Sequence, residues 1–283
     1  MVVDEPPTPT WLTDILLYAT GSQQCIERTR KRQFESILFR NQSELDKWRA
    51  IIGPDPDGAS RHVRRLKCAH INTLEGFEEH IRGFARVKAL AFRGCDLLLS
   101  PSVVESFAPM GSNLLKLKID RGSTTYSIIS SLLAALPRLR HLRARFLEFR
   151  SDRDVTGPPY KIPFFEGAGC LDLLIEKDDH ESLDWIPPSA RFRDLRINVP
   201  SILNKSGRVK QWIASSAECL KFLSITPYTT GMCLDLFTRY LFQPVPDCVI
   251  FLRCQFHPAG PLWVYCTGVP TTQDWGPSTW GNR

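Results

Sequence analysis

A short pattern of apolar residues recurs through the middle of the chain and predicts its strands. The pattern is apolar-x-x-Leu-x-apolar, and it occurs in seven copies at roughly similar distances along the chain. The Leu and the apolar residue after it alternate with period two, so both side chains lie on one face of a short strand. The copies are Val63–Cys68, Val87–Phe92, Leu114–Ile119, Leu139–Ala144, Cys170–Ile175, Phe192–Ile197 and Leu220–Ile225.

The intervals between these strands hold stretches with helical periodicity. Residues 72–85, 127–136 and 206–220 each place apolar side chains at spacings of three or four, which is typical of an amphipathic helix. Parallel strands need a crossover of a dozen or more residues, and the intervals are long enough to supply it.

Strands repeated at this spacing are typical of leucine-rich repeats, whose period is roughly 20–29 residues. We therefore predict an α/β fold, a leucine-rich-repeat-like solenoid with parallel strands on the concave face and helices on the outside. The Asn or Cys that usually follows the strand is missing from most copies, and Cys95 is the nearest candidate. The alternative is a single α/β domain whose strands only look repetitive.

Three segments follow from these patterns. Residues 61–242 form the predicted repeat domain. Residues 1–60 are predicted to be a short helical segment with a linker, including a helix over 45–52 that begins after Ser43. Residues 243–283 contain six prolines and three tryptophans, and they are predicted to form an irregular tail, because proline disfavours regular helices.

Composition places the chain among intracellular globular proteins. Of its 283 residues 43% are hydrophobic, and no run of 18 apolar residues occurs, so a packed core and no transmembrane helix are expected. The first residues lack the basic and apolar regions of a secretory signal. Nine cysteines without tight pairs indicate reduced thiols in the cytoplasm or nucleus.

The N-terminal segment resembles a known family. Residues 9–18 (Pro-Thr-Trp-Leu-Thr-Asp-Ile-Leu-Leu-Tyr) look like the first helix of an F-box, which typically begins with Pro-x-x-Leu. Residues 30–37, 45–48 and 61–66 resemble the segment that joins the F-box to the repeats in fungal F-box and leucine-rich-repeat proteins. The F-box would be abbreviated, because its Leu-x-x-Val-x-x-x-Trp-like centre is missing between Tyr18 and Arg28.

The resemblance implies an F-box-like substrate receptor that binds the Skp-type linker of a cullin ubiquitin ligase. One alternative is a repeat scaffold that binds protein without any link to ubiquitin, and another is an enzyme with a divergent site. The sequence contains no G-x-S-x-G, G-x-x-x-x-G-K-[ST], H-E-x-x-H or G-x-G-x-x-G motif. We therefore predict a non-enzymatic protein-binding module.

No cofactor or metal is predicted. Cys248, Cys254, His257 and Cys266 form the only Cys/His grouping, and they are too widely spaced for the tight ligand pairs that zinc sites prefer. The acidic run 178–181 is predicted to be a solvated loop, since consecutive side chains diverge around the backbone.

The candidate binding site is the face formed by the residues that flank the strand leucines. These side chains point away from the core, and in the first four strands five of them are Lys or Arg and none is a carboxylate. They are expected to converge from adjacent strands about 4.8 Å apart. The predicted partner-binding residues are Arg65, Lys67, Lys116, Lys118, His141 and Arg143.

A positive surface of this kind attracts an acidic protein segment. Nucleic acid is not expected, because no aromatic ladder interleaves the cations, and a membrane partner is not expected either. In the later strands Asp172 and Leu174 are predicted to flank Leu173 on the same face. The alternative is a solvated charged face with no ligand.

Overall fold

The computed structural model describes residues 32–52, 59–150, 162–174, 183, 185–199, 206–227, 249–254 and 262–266. The strands are β1 (Ser36–Phe39), β2 (Arg65–Ala69), β3 (Ala89–Arg93), β4 (Lys116–Thr124), β5 (His141–Phe149), β6 (Gly169–Leu174), β7 (Phe192–Val199), β8 (Phe222–Pro227), β9 (Val249–Cys254) and β10 (Leu262–Cys266). The helices are α1 (Gln42–Ile52), α2 (Glu78–Gly83), α3 (Pro101–Ser106), α4 (Ala108–Gly111), α5 (Tyr126–Ala134), α6 (Pro163–Glu166) and α7 (Ser206–Ser215). Among these helices, none is both long and apolar enough to cross a membrane.

The ten strands form one sheet in which each strand pairs with the next strand along the chain. Every pairing from β1 to β9 is parallel, and only β10 runs antiparallel to its neighbour β9. All seven strands expected from the apolar pattern are present. The prediction of an α/β fold with parallel strands is therefore confirmed.

The strand leucines line up across the sheet in one inner column. In register from β2 to β8, the column contains Leu66, Leu90, Leu117, Leu142, Leu171, Leu195 and Leu223. Every one of them is buried. The prediction was wrong at one strand: Leu171, and not Leu173, pairs with Leu142, while Leu173 lies opposite Ala144.

The corrected register makes the spacing of the strands along the chain more regular. Successive members of the column lie at nearly even spacing along the chain, and Ile37 in β1 and Ile250 in β9 extend it at the same spacing. The sheet therefore begins before residue 61 and continues past residue 242, across both predicted boundaries. Residues 249–254 and 262–266 are strands, so the expected irregular structure of the tail does not hold for these two stretches.

The core lies between the inner face of the sheet and the helices. Ile81 of α2, Val103 of α3, Leu132 of α5 and Trp212 of α7 are all buried against it. The Trp212 indole donates a hydrogen bond of 2.9 Å to the Pro187 carbonyl oxygen, so its polar atom is satisfied. Full burial of one large apolar side chain stabilises a fold by about 1.5–3 kcal/mol.

The helices are shorter than the apolar periodicity indicates. The stretch 72–85 contains only the helix α2, because Gly76 has a φ of +74° and interrupts helical geometry before it. The helix expected over 206–220 ends at Ser215. The helix expected after Ser43 begins instead at Gln42, and the Asn41 side chain accepts the Glu44 amide proton at 3.0 Å.

One residue in the left-handed backbone conformation occurs at the same register position for each of the four successive strands β2 to β5. His70, Gly94, Arg121 and Phe146 all have φ between 52° and 58°, a conformation that favours glycine. One residue beyond Gly94, the Cys95 thiol donates to the Cys68 carbonyl oxygen at 3.4 Å. This hydrogen bond connects the segment after β3 to the neighbouring strand β2.

Candidate protein-binding face

The outward side chains of the strands form two parallel rows. Row one contains Ser36, Arg65, Ala89, Lys116, His141, Cys170, Asp194 and Phe222, in register from β1 to β8. Row two contains Leu38, Lys67, Ala91, Lys118, Arg143, Asp172, Arg196 and Ser224. All six predicted binding residues therefore lie on one face of the sheet.

Four of these residues form an open cationic group. Arg65 and Lys67 of β2 and Lys116 and Lys118 of β4 are exposed, and within the described ranges none of them has an ion pair or a side-chain hydrogen bond. Neither row carries a carboxylate from β1 to β5. We call these four residues the open cations.

The expected spacing of adjacent strands holds for Lys116 and Lys118 of β4 beside His141 and Arg143 of β5, but it is wrong for Arg65 and Lys67, which do not lie on a strand adjacent to β4. Strand β3 separates the two pairs and contributes Ala89 and Ala91 at the corresponding positions. Two strand spacings correspond to about 10 Å. Because alanine side chains are short, the surface over β3 is shallow, and the long cationic side chains of β2 and β4 lie on either side of it.

The charge of Arg143 is compensated in the fold. Its Nε atom lies 3.5 Å from a carboxylate oxygen of Asp172. Arg145 donates to both Asp172 oxygens, at 2.7 and 3.0 Å. Arg143 is half-buried as well, so it contributes less positive charge to the surface than the sequence indicates.

His141 is a neutral group at this face near pH 7. Partial burial lowers its pKa below the ordinary value of 6.5, and the positive charges of Lys116 and Arg193 lower it further. The Asp194 carboxylate opposes this shift without reversing it. The imidazole therefore has little net charge at neutral pH, whereas the sequence analysis grouped it with the cations.

Cys170 and Asp194 form a contact that the sequence analysis missed. The Cys170 thiol donates to Asp194 at 2.8 Å, and a guanidinium nitrogen of Arg193 lies 3.5 Å from the same carboxylate. Burial, followed by the hydrogen bond to Asp194 and its negative charge, raises the pKa of Cys170. The thiol is thus held in its protonated form, which is unreactive as a nucleophile.

The flanking residues of β6 also differ from the prediction. Because Leu171 occupies the inner column, Cys170 and Asp172 face outward in rows one and two, and Leu174 lies beyond them. The sequence contained one sign that this copy of the pattern was misplaced. The copy that starts at Cys170 follows the longest interval between copies and precedes the shortest one.

A cavity of about 300 Å³ opens on this face over β4 to β7. We call it the His141 cavity. The polar side chains that line it are Lys116, Lys118, His141, Arg143, Cys170, Asp172, Asp194 and Arg196. Arg196 lies over the ring of Phe222, with 4.7 Å between the guanidinium carbon and the ring centroid.

In the part of the chain that the structure describes, no group of three His, Cys, Asp or Glu side chains is placed to hold a metal ion. The acidic run 178–181, Cys248 and His257 lie outside the described residues. The F-box-like stretch 9–18 lies outside them as well.

Comparison with models of protein families, with curated proteins and with solved structures finds no match to this chain.

Proposed function

We propose that the chain is a protein-recognition module, built as a leucine-rich-repeat-like solenoid, that binds an acidic segment of a partner protein. The repeat assignment is supported by in-register strands at nearly even spacing along the chain. This spacing lies in the range of such repeats, roughly 20–29 residues. A solenoid of this kind presents its strand face as an extended binding surface.

The open cations carry the functional part of the proposal. Four exposed cationic side chains without intramolecular partners among the described residues create a positive potential that accelerates encounter with an acidic partner. A protein segment is favoured over single-stranded nucleic acid, because no aromatic residue lies between them in either row from β2 to β5. Stacking on aromatic side chains is the usual basis of single-strand binding.

A non-enzymatic role is favoured by the chemistry of the same face. The one thiol in its two rows from β1 to β8 is Cys170, whose pKa is raised, whereas a catalytic thiol needs a lowered pKa. The arrangement supplies charge complementarity, and the protonated Cys170 thiol is not an activated nucleophile.

An acidic peptide is expected to bind this protein in a salt-dependent way. In fluorescence anisotropy, a labelled twelve-residue peptide rich in Asp and Glu should bind, while a peptide with the matching Asn and Gln residues should not. Raising ionic strength from about 0.05 to 0.3 M should weaken binding roughly tenfold, mainly through slower association, because exposed charges are screened. Equal affinity for both peptides would contradict the proposal.

We further propose that the module is a substrate receptor of a cullin-type ubiquitin ligase, acting in the cytoplasm or nucleus. Its support is the F-box-like pattern of residues 9–18. The full chain is then expected to co-purify with a Skp-type linker, and a Trp11→Ala, Leu12→Ala variant to lose the linker while still binding the acidic peptide. If the folded wild-type chain fails to retain the linker, the scaffold role remains and the ubiquitin role is dropped.

A further inference from the structure

The His141 cavity carries a net positive charge, although two carboxylates line it. Both oxygens of Asp172 accept hydrogen bonds from Arg145. One oxygen of Asp194 accepts the Cys170 thiol proton and lies 3.5 Å from a guanidinium nitrogen of Arg193. Their negative charges are therefore already engaged within the fold.

Three cations of the cavity have no such partner. Lys116, Lys118 and Arg196 have no ion pair with any described residue, although all three line the cavity. A carboxylate that enters would therefore gain attraction from these three groups without separating an existing ion pair.

The cavity is continuous with the open cations, because Lys116 and Lys118 belong to both. Its centre over β5 and β6 lies two to three strands from β3, a distance of about 10–14 Å, or three to four residues of extended chain. A volume of about 300 Å³ is at the lower limit of ligand pockets, which suits one side chain. A segment bound over the open cations can therefore reach it within a few residues.

His141 stands in the wall of this cavity, where charged groups from four strands surround it. Lys116 and Lys118 of β4, Arg143 of β5 and its preceding Arg140 provide positive charge. Cys170 and Asp172 of β6 and Asp194 and Arg196 of β7 also line the cavity, and the positive charge of Arg193 of β7 acts on the imidazole as well. A carboxylate placed here would offset the cations that disfavour the imidazolium form.

Resting on the proposed function, we propose that the His141 cavity is the anchoring subsite for one Asp or Glu side chain of the acidic segment, and that His141 takes up a proton as the subsite fills. The proton goes from solvent to the neutral imidazole, and no covalent bond between protein and partner forms or breaks.

The sign of the pH dependence follows from linkage. The pKa of His141 in the free protein is below 6.5, and the incoming carboxylate raises it, so the complex binds more protons than its separated components. Affinity must then increase as pH falls from 8 to 6. The side chains of Asp, Glu, Lys and Arg keep their charges in this window, so with the amino terminus of the peptide acetylated the titrating group is histidine. We expect binding a few-fold tighter at pH 6 than at pH 8, less than the roughly tenfold that a rise of one pKa unit gives only at pH values well below both pKa values.

Isothermal titration calorimetry with the acidic peptide tests the proposal. Wild-type protein, titrated in two buffers of different ionisation enthalpy, should take up a fraction of a proton on binding. A His141→Gln variant should bind with affinity independent of pH between 6 and 8. A His70→Asn variant is the matched control, because His70 is exposed beyond the end of β2, and it should retain the wild-type pH dependence.

Two failures are distinguishable. If no acidic peptide binds at any pH, the proposed function itself fails. If the peptide binds without proton uptake, or if His141→Gln keeps the pH dependence, only the anchoring role of the cavity is overturned. Should the variant not fold, as judged by circular dichroism, the two-buffer measurement on wild type decides alone.

Discussion

A Leu142→Ala variant is expected to lose about 2–5 kcal/mol of unfolding free energy, the usual cost of a buried Leu→Ala substitution. Leu142 is only 1% exposed and lies near the middle of the inner column, between Leu117 and Leu171. Its next inward neighbour on β5 is Ala144, which is too short to fill the space. The space left by the truncated Leu142 side chain should therefore be filled only in part by movement of its neighbours.

Equilibrium unfolding in urea measures this loss. The matched control is Leu98→Ala, because Leu98 is 39% exposed and its truncation should cost less than about 1 kcal/mol. Similar losses for both variants would show that Leu142 does not lie in a packed column. The comparison therefore tests whether Leu142 is packed in the core as its burial indicates.

A double charge reversal, Lys116→Glu with Lys118→Glu, is expected to weaken binding of the acidic peptide at least tenfold. It replaces half of the open cations by carboxylates and also removes two cations from the His141 cavity. Thermal stability should change little, because both lysines are exposed and make no ion pair with any described residue, and such charges contribute little to folding.

The control for this variant reverses two cations elsewhere. Lys47 of α1 and Arg82 of α2 are exposed on helices, and their reversal to Glu changes the net charge by the same amount. Only the strand-face variant should lose affinity and the salt dependence of association. Reversal at Arg143 is less informative, since a glutamate there would lie beside Asp172 and would disturb the fold as well as the surface.

The strands were predictable because alternation of Leu with a second apolar residue survives in seven copies. The same alternation explains the error at β6. Leu171 and Leu173 both point inward, so a template with period two fits the strand equally well when it is shifted by two residues. The two registers are distinguished by the even spacing of the column residues along the chain, and not by the apolar character of Leu171 and Leu173.

The outer strands were missed for a different reason. In β1 the inward residues are Ile37 and Phe39, and without a leucine the pattern does not match. The compensation of Arg143 by Asp172 could not be predicted at all, because it joins residues on two neighbouring strands whose proximity depends on the register. The sequence therefore indicates which residues share the face, but it overestimates the positive charge that β5 contributes to it.

The sequential order of the strands also bears on how the chain can fold. Each strand pairs with the next strand of the chain, so each member of the inner column is separated from the next one by a single crossover segment. The entropic cost of loop closure is therefore divided among many short loops, and no single long loop has to close. For a parallel sheet, a topology that usually demands distant contacts and slow folding, this order keeps the relative contact order low.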